Sequence, residues 1–292
     1  MTTHQSVMPQ EVIEYLDVHS NAEYIDCTLG GAGHTTMILE RNGPKGRVLG
    51  IDANPDALAQ AAIHLKEYGR RVVLAQGNFR DVVSLATRHG FGQVDGVLYD
   101  LGLSMDLLKS SGRGFSFQVD EPLDMRLDPE QDLTASDIVN SWKEKEIADA
   151  IYQYGEERAS RRIANAIVLT RRKKRLETTF DLVTVIESVL SRHGKSHPAT
   201  KTFQALRMVV NDELGVLQRS MEDLPQILHK GSRVVFLTFH SLEDRIVKNV
   251  FRDWGKEKRA TVLTKKVIVP TRQEILKNSP SRSAKLRAIE WL

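Results

Sequence analysis

The chain has 292 residues and a formal net charge of +3, with 41% hydrophobic and 27% charged residues. This balance argues against a disordered chain, and the length allows one large domain or two smaller ones. No apolar run approaches the roughly 20 residues of a membrane span, and the first residues carry no secretion signal. The single cysteine, Cys27, excludes an internal disulfide and a cysteine-rich zinc site. We therefore expect a cytoplasmic protein with no metal and no membrane partner.

Short apolar runs alternate with helical patterns over residues 23–100, which predicts a parallel sheet with helices on both faces. The predicted strands span 23–26, 46–52, 70–75 and 94–100. A helix is expected to begin near His34, and Asn54 followed by Pro55 predicts the start of the next one.

Helical periodicity replaces the strand signals over residues 130–217. Two apolar stripes carry it: one is formed by Leu206, Val210, Leu214 and Leu217, the other by Ile147, Ile151 and Tyr154. A strand over 233–239, a helix over 241–251 and two closing strands over 260–269 and 284–291 follow. We predict an α/β domain of residues 1–103 and 218–292, split by a connecting loop and helical insertion of residues 104–217.

A glycine-rich loop, Gly30-Gly31-Ala32-Gly33, joins the first strand to the first helix of the sheet. Glycines at this place let the backbone approach a ligand closely. Asp52 ends the next strand, 22 residues after Gly30, where an acid can bind both ribose hydroxyls of NAD or S-adenosylmethionine (SAM). A phosphate-binding P-loop is excluded because no Lys-Ser/Thr follows. Asp26 is placed to face the methionine end of SAM, although the glycines alone are also compatible with a simple turn.

Three further residues follow predicted strands. Phe79 can stack on adenine or pack in the core with equal weight. Asp100 ends the fourth strand, where it faces the reactive end of a cofactor unless it only caps a turn. His240 follows the strand over 233–239, and a functional role is as well supported as a structural one. Ser241 and Asp244 predict a capping box just after it.

Basic side chains are concentrated in two stretches. Residues 158–175 contain eight Lys or Arg and no acid, and residues 252–287 contain eleven against three acids. Either stretch alone is compatible with a solvated helix face, but together they favour a polyanionic substrate.

Motifs along nearly the whole chain resemble those of the bacterial 16S ribosomal RNA cytosine-N4 methyltransferases. Each motif is weak, but their joint order is highly specific. They are His4 to Met8, Asp26 to His34, Asp95 to Gly102, Arg113 to Phe117, Pro122 to Arg126, Tyr154 to Arg158, His197 to Thr200, Phe203 to Arg207, Asn211 to Leu214, Phe239 to Lys248 and Arg282 to Arg287.

The resemblance implies a Rossmann-like class I methyltransferase sheet with an inserted helical domain that recognises RNA. It implies SAM as cofactor, S-adenosylhomocysteine as product, and a cytidine in the decoding centre of the small ribosomal subunit as substrate. The SAM contacts carried over are Asp26, Gly31, Ala32, Gly33, His34, Asp52, Phe79 and Asp100. Leu107 stands where the family has a glutamine that contacts the cofactor, and an apolar side chain cannot donate a hydrogen bond there.

The residues also restrict the reaction type. Methylation at C5 of a pyrimidine needs a cysteine nucleophile, and Cys27 lies in the cofactor loop, whereas methylation at N4 needs no thiol. We expect Asp100, or else His240, to accept a hydrogen bond from the reacting amine. The candidate RNA contacts are Trp142, Tyr154, Arg158, Arg207 and Arg245.

Other functions stay open on the sequence alone. A nicotinamide-dependent oxidoreductase shares the glycine loop and Asp52, and a SAM-dependent enzyme acting on another RNA site or on a small molecule shares the whole cofactor site. A non-catalytic ribosome-assembly factor would keep the basic stretches without the cofactor. The oligomeric state is not fixed by any feature of the sequence.

Overall fold

A computed structural model describes residues 5–102, 112–191 and 197–292. The chain divides into two compact units. One, called here the α/β unit, comprises Met1–Ser104 and Leu214–Leu292, and the other, the helical unit, comprises Met105–Glu213. Within the described residues, no helix is long and apolar enough to cross a membrane.

A seven-stranded sheet forms the centre of the α/β unit. Its strands are β1 (Glu23–Asp26), β2 (Arg47–Asp52), β3 (Val72–Gln76), β4 (Val94–Asp100), β5 (Leu228–Thr238), β6 (Ala260–Val262) and β7 (Lys285–Trp291). The strand order is β3-β2-β1-β4-β5-β7-β6. Strands β1 to β5 run parallel, and β7 pairs antiparallel with both β5 and β6 at one end of the sheet. The predicted α/β class is confirmed.

Alternation of side chains along the strands explains why helices cover both faces of the sheet. The helices of this unit are α1 (Pro9–Leu16), α2 (Gly33–Arg41), α3 (Pro55–His64), α4 (Val82–Arg88), α10 (Glu213–Asp223) and α11 (Ser241–Lys256); a short α12 (Arg272–Lys277) precedes β7. Ile25 and Val97 point into one buried cluster, which α4, α10 and α11 complete. Tyr24 and Leu98 point into a second cluster, which α1, α2 and α3 complete.

The helical unit contains α5 (Ala135–Ser141), α6 (Glu144–Gly155), α7 (Ser160–Arg171), α8 (Thr179–Val189) and α9 (Thr200–Val210). Helix α6 packs on α7 and α9, with Ile147 and Ile151 fully buried. Capping boxes fix the starts of two helices, Thr134 with Asp137 at α5 and Thr178 with Asp181 at α8. Such caps satisfy backbone N–H groups that have no partner within the helix.

Two predicted elements differ from the structure. The stripe from Leu206 to Leu217 does not lie on one helix, because Asp212 has a left-handed φ of 46° and separates α9 from α10. The strand predicted over 260–269 is only Ala260–Val262. Beyond it the hydroxyl of Thr264 accepts the N–H of Ala288, so the backbone leaves the ladder and returns only at an isolated bridge of Ile268 with Leu286.

The capping box predicted for Ser241 and Asp244 is wrong by one residue. His240 is the N-cap of α11, and its partner in the box is Glu243. The connection after β5 contains only Phe239 and His240, so the helix begins too early for Ser241 to cap it. Asp244 instead pairs with the guanidinium of Arg287, at 2.7 and 3.2 Å.

Candidate functional site

Three aspartates lie together at the carboxyl edge of the parallel strands. Asp26, Asp52 and Asp100 are the last residues of β1, β2 and β4. The register places Asp26 opposite Gly50 of β2 and Leu98 of β4, so β2 and β4 each extend two residues beyond β1. In open α/β sheets the crevice at this edge is where ligands bind.

The loop after β1 turns sharply to begin α2. Gly30 has φ 47° and Ala32 has φ 62°, and Ala32 is the N-cap of α2 without a side-chain hydrogen bond to the helix. The first-turn N–H groups of α2 therefore receive no side-chain cap and point toward the crevice edge. A Cβ on Gly33 would lie 2.1 Å from the Oγ of Ser6, so a larger residue there would require that hydroxyl to rotate away.

Asp26 is buried and holds this loop from within. Its Oδ1 accepts the N–H of Thr28 at 3.1 Å, and its Oδ2 accepts the hydroxyl of Thr35 at 2.7 Å. Burial raises the pKa of Asp26, and the nearby His34 and these hydrogen bonds oppose the rise. Both oxygens of Asp26 thus serve the loop, which makes it a support for the site.

Asp52 contacts the same loop from the neighbouring strand. Its Oδ2 accepts the N–H of Gly30 and its Oδ1 accepts the N–H of Asn54, each at 2.8 Å. Burial raises the pKa of Asp52, and the two backbone hydrogen bonds partly offset the effect. Each carboxylate oxygen keeps a second lone pair that can accept a hydroxyl.

Asp100 differs from the other two because one of its oxygens is free. Its Oδ1 is buried and has no hydrogen-bond partner in the described residues, and its Oδ2 lies 3.6 Å from Nδ1 of His34. Burial raises the pKa of Asp100 to about 6, with a further rise from Asp26 and Glu243 against the opposing effect of His34. A buried acceptor without a partner is costly, so this oxygen is prepared for a donor from a ligand.

His34 is fixed by the N-terminal segment. Its Nε2 lies 3.0 Å from the carbonyl oxygen of Val7, which can only accept, so Nε2 carries a proton. The other nitrogen, Nδ1, lies 3.6 Å from Oδ2 of Asp100. His34 is buried and helps to set the charge of Asp100.

Phe79 and His240 also lie beside the parallel strands of this unit. Phe79 begins a 3₁₀ turn after β3, is half-buried, and meets the ring of Tyr99 edge-on at 5.6 Å, so part of it packs on the core. His240 accepts the N–H of Glu243 through Nδ1 at 3.4 Å, and its Nε2 lies 2.9 Å from Oε1 of Glu243, outside hydrogen-bond geometry. Capping is therefore an evident structural task of His240.

Comparison with known proteins identifies the family of the chain. The model of the MraW methylase family matches residues 1–292. The chain belongs to the MraW methylase family. It is 44% identical to "Ribosomal RNA small subunit methyltransferase H" of Symbiobacterium thermophilum, over 98% of this chain and 96% of the relative. A relative of the same name from Thermomicrobium roseum is 43% identical over 99% of this chain and 94% of its own length.

Membership of the MraW methylase family confirms three predictions: a class I methyltransferase fold, an enzyme, and SAM as its cofactor. It also rejects the nicotinamide-dependent alternative. Among solved structures, a SAM-dependent methyltransferase from Aquifex aeolicus aligns over 98% of this chain and 90% of its own, with 9% identity and a TM-score of 0.43.

The residues of this MraW methylase fit SAM at the carboxyl edge. The uncapped start of α2 offers N–H groups to a carboxylate, and Asp52 offers acceptors to ribose hydroxyls. The free Oδ1 of Asp100 would offer negative charge to a sulfonium bound at this edge. Leu107, the remaining predicted cofactor contact, lies outside the described residues.

Two of the predicted RNA contacts of the helical unit lie on helices, Tyr154 and Arg207, and two lie in connections between helices, Trp142 and Arg158. Trp142 follows α5, and Tyr154 lies near the end of α6; both are half-buried. Arg158 is exposed, whereas the guanidinium of Arg207 is held by Glu213 at 2.6 and 2.8 Å. Arg245 belongs to the α/β unit, where it is exposed on α11.

Several residues that shape the site escaped the sequence reasoning. Thr28 supports two aspartates, because its hydroxyl accepts the N–H of Asp100 at 2.6 Å while its own N–H reaches Asp26. Glu243 is buried and accepts the N–H groups of Phe239 and His240. Val7 holds His34, and the only sequence signal for it was the family motif from His4 to Met8.

Proposed function

We propose that this protein transfers the methyl group of SAM to N4 of a cytidine in 16S ribosomal RNA, at the decoding centre, and releases S-adenosylhomocysteine. The observation that carries the proposal is the free Oδ1 of Asp100 at the cofactor edge of a chain similar along its length to rRNA methyltransferases. The small ribosomal subunit is the proposed partner and the cytoplasm the proposed location.

The only cysteine supports N4 over C5 as the position of methylation. Cys27 is buried, and burial raises the pKa of its thiol well above the usual value. A thiol of this kind is a poor nucleophile, and covalent attack on C6 of a pyrimidine requires a reactive one. A direct transfer to an exocyclic amine needs only an acceptor for its protons.

Asp100 is the proposed catalytic group. SAM supplies the methyl carbon as an electrophile on its sulfonium. The N4 lone pair of cytosine is conjugated with the ring, so an acceptor for an N–H favours the reactive geometry and takes up the positive charge that develops. The free Oδ1 of Asp100 is such an acceptor, and His34, held by Val7, lies 3.6 Å from the other oxygen. His240 is the second candidate.

Residues around Asp100 are proposed to position the reactants, because in-line geometry supplies much of the rate of a direct transfer. The methionine end of SAM would be held by Gly31, Ala32, Gly33 and His34, with support from Asp26. Asp52 would bind the ribose, and Phe79 would stack on the adenine. Leu107 is included on the resemblance alone.

The helical insertion, residues 104–217, is proposed to recognise the RNA, and residues 1–103 with 218–292 to carry the cofactor. A base must leave its stack to reach the pocket, and aromatic side chains can receive the exposed face of an unstacked base. Trp142 and Tyr154 are the proposed stacking residues, and Arg158, Arg207 and Arg245 the proposed phosphate contacts.

Incubation with labelled SAM and small subunits that lack the modification tests the proposal. We expect one labelled nucleoside after digestion, identified by mass spectrometry as N4-methylcytidine. A different labelled nucleoside would move the reaction to another RNA site. Absence of both label and SAM binding would favour a non-catalytic assembly factor.

The acidity of Asp100 predicts a pH dependence of the reaction. Only its ionised form can accept a proton, and its pKa is about 6 in the free protein. The value of kcat/KM for SAM should therefore fall about tenfold per pH unit below about pH 6, since this parameter reports the free enzyme. Initial rates at fixed ionic strength measure it, and a flat profile through that range would remove Asp100 as the base.

A further inference from the structure

A basic segment emerges at the cofactor edge of the sheet, between β6 and β7. It comprises residues 264–283 and is called here the basic edge segment. Lys285, the first residue of β7, lies opposite Thr238, and Leu237 lies opposite Asp100. Because β7 is antiparallel to β5, the chain that leads into β7 must leave the sheet at the edge where Asp100 ends β4.

The basic edge segment carries a net positive charge on its exposed surface. Its five cations are all exposed: Lys265, Lys266, Arg272, Lys277 and Arg282. Its one acid is Glu274, so the segment has a net charge of +4, against +3 for the whole chain. Within the described residues, none of the five cations takes part in an ion pair.

Glu274 ties the segment to the N-terminal residues of the chain. Its Oε1 accepts the N–H of Met8 at 2.6 Å. Asn278 donates to the carbonyls of Gln5 and Ser6, at 3.1 and 3.4 Å. The same N-terminal stretch also contacts the start of α2, because the Nε2 of His34 donates to the carbonyl of Val7. The segment is thus fixed beside the proposed reaction site.

Two large apolar side chains stand out among these cations. Leu276 is 77% exposed and Val269 is 57% exposed. Apolar surface beside phosphate-binding cations suits single-stranded RNA, whose unstacked bases need apolar contact, better than a paired helix that shows only its backbone.

We propose that the basic edge segment binds the single-stranded RNA that flanks the target nucleotide, with its cations on phosphates and Leu276 against an adjacent base. This proposal rests on the proposed function, because it takes the substrate to be RNA.

The double substitution Arg272→Ala/Lys277→Ala tests the proposal, with Lys45→Ala/Lys66→Ala as a matched control. Both pairs are exposed and remove the same charge, but Lys45 and Lys66 precede β2 and β3 at the opposite edge of the sheet. The probe is a single-stranded RNA oligonucleotide with the sequence around the methylated cytidine. Its affinity is measured by filter binding over a range of salt concentrations.

Affinity falls as salt rises, and the plot of log affinity against log salt should become shallower by about 1.4 for Arg272→Ala/Lys277→Ala. This is about 0.7 for each phosphate that is no longer neutralised. The slope should stay unchanged in the control. Leu276→Ser should weaken binding of the single strand and leave the slope unchanged. The affinity for SAM should be equal in all variants.

Equal slopes in both double variants would overturn the proposal even if the wild-type protein methylates cytidine. Failure of the wild-type protein to bind the oligonucleotide would overturn this proposal alone, because methylation of small subunits tests the proposed function separately. Retained RNA binding with a loss of affinity for phosphatidylglycerol vesicles would assign the segment to a membrane surface instead.

Discussion

Replacing Asp100 by asparagine is expected to lower kcat about 100- to 1,000-fold at saturating SAM. The amide retains one acceptor oxygen but has no charge to balance the positive charge on N4, and it cannot take up the proton. The protein should still fold, because the free Oδ1 makes no hydrogen bond in the described residues and the backbone N–H of Asp100 keeps its bond to Thr28. Single-turnover rates with bound SAM measure the chemical step directly.

The affinity for SAM should change much less than kcat in Asp100→Asn, since one carboxylate near a sulfonium contributes only part of the binding free energy. Asp81→Asn is a suitable control, because that side chain is 51% exposed and lies on the turn after β3. Unchanged turnover at saturating SAM would deny Asp100 a catalytic role and make His240 the leading candidate.

The substitution His240→Asn then separates the two tasks of that residue. Asparagine is among the best N-cap residues, so the start of α11 and its bond to Glu243 should survive. If His240 serves only as a cap, turnover should stay within a few-fold of the wild-type value. A loss comparable to that of Asp100→Asn would place its ring in the reaction.

The parallel strands and the aspartates at their ends were predictable because their causes are local. A buried parallel strand is a continuous apolar run, and its last residue is polar where the crevice begins. Asp26 and Asp100 each end such a run, so the sequence locates both. The helical period over residues 130–217 is a local signal of the same kind, although Asp212 breaks a stripe that is continuous in the sequence.

The parts of the site that were not predicted depend on contacts between distant residues. Met8 and Glu274 are separated by 266 positions, and no local pattern indicates that one will bind the other. The support of Asp100 by Thr28 likewise depends on how two strands meet. Serine is the better N-cap by propensity, yet His240 caps α11 because the length of the connection decides where the helix begins.

Replacing Asp52 by asparagine is expected to raise the dissociation constant for SAM about 10- to 100-fold and to change kcat little. A hydrogen bond to a charged group contributes about 1.5–3 kcal/mol, and the neutral amide also loses one of the acceptors for two ribose hydroxyls. Equilibrium dialysis or calorimetry with SAM measures the change, and the melting temperature without SAM shows whether the loop has been disturbed.

A second variant distinguishes ribose binding from support of the loop. Asp52 also accepts the N–H groups of Gly30 and Asn54, so part of any loss of affinity comes from the backbone. Asn54→Ala leaves Asp52 in place and removes the cap of α3, which should cost about 1 kcal/mol of stability with little effect on SAM affinity. If Asn54→Ala weakens SAM binding as much as Asp52→Asn does, Asp52 acts through the geometry of the loop. A loss confined to Asp52→Asn means that its carboxylate touches the cofactor, because the two variants disturb neighbouring backbone and only one removes the charge.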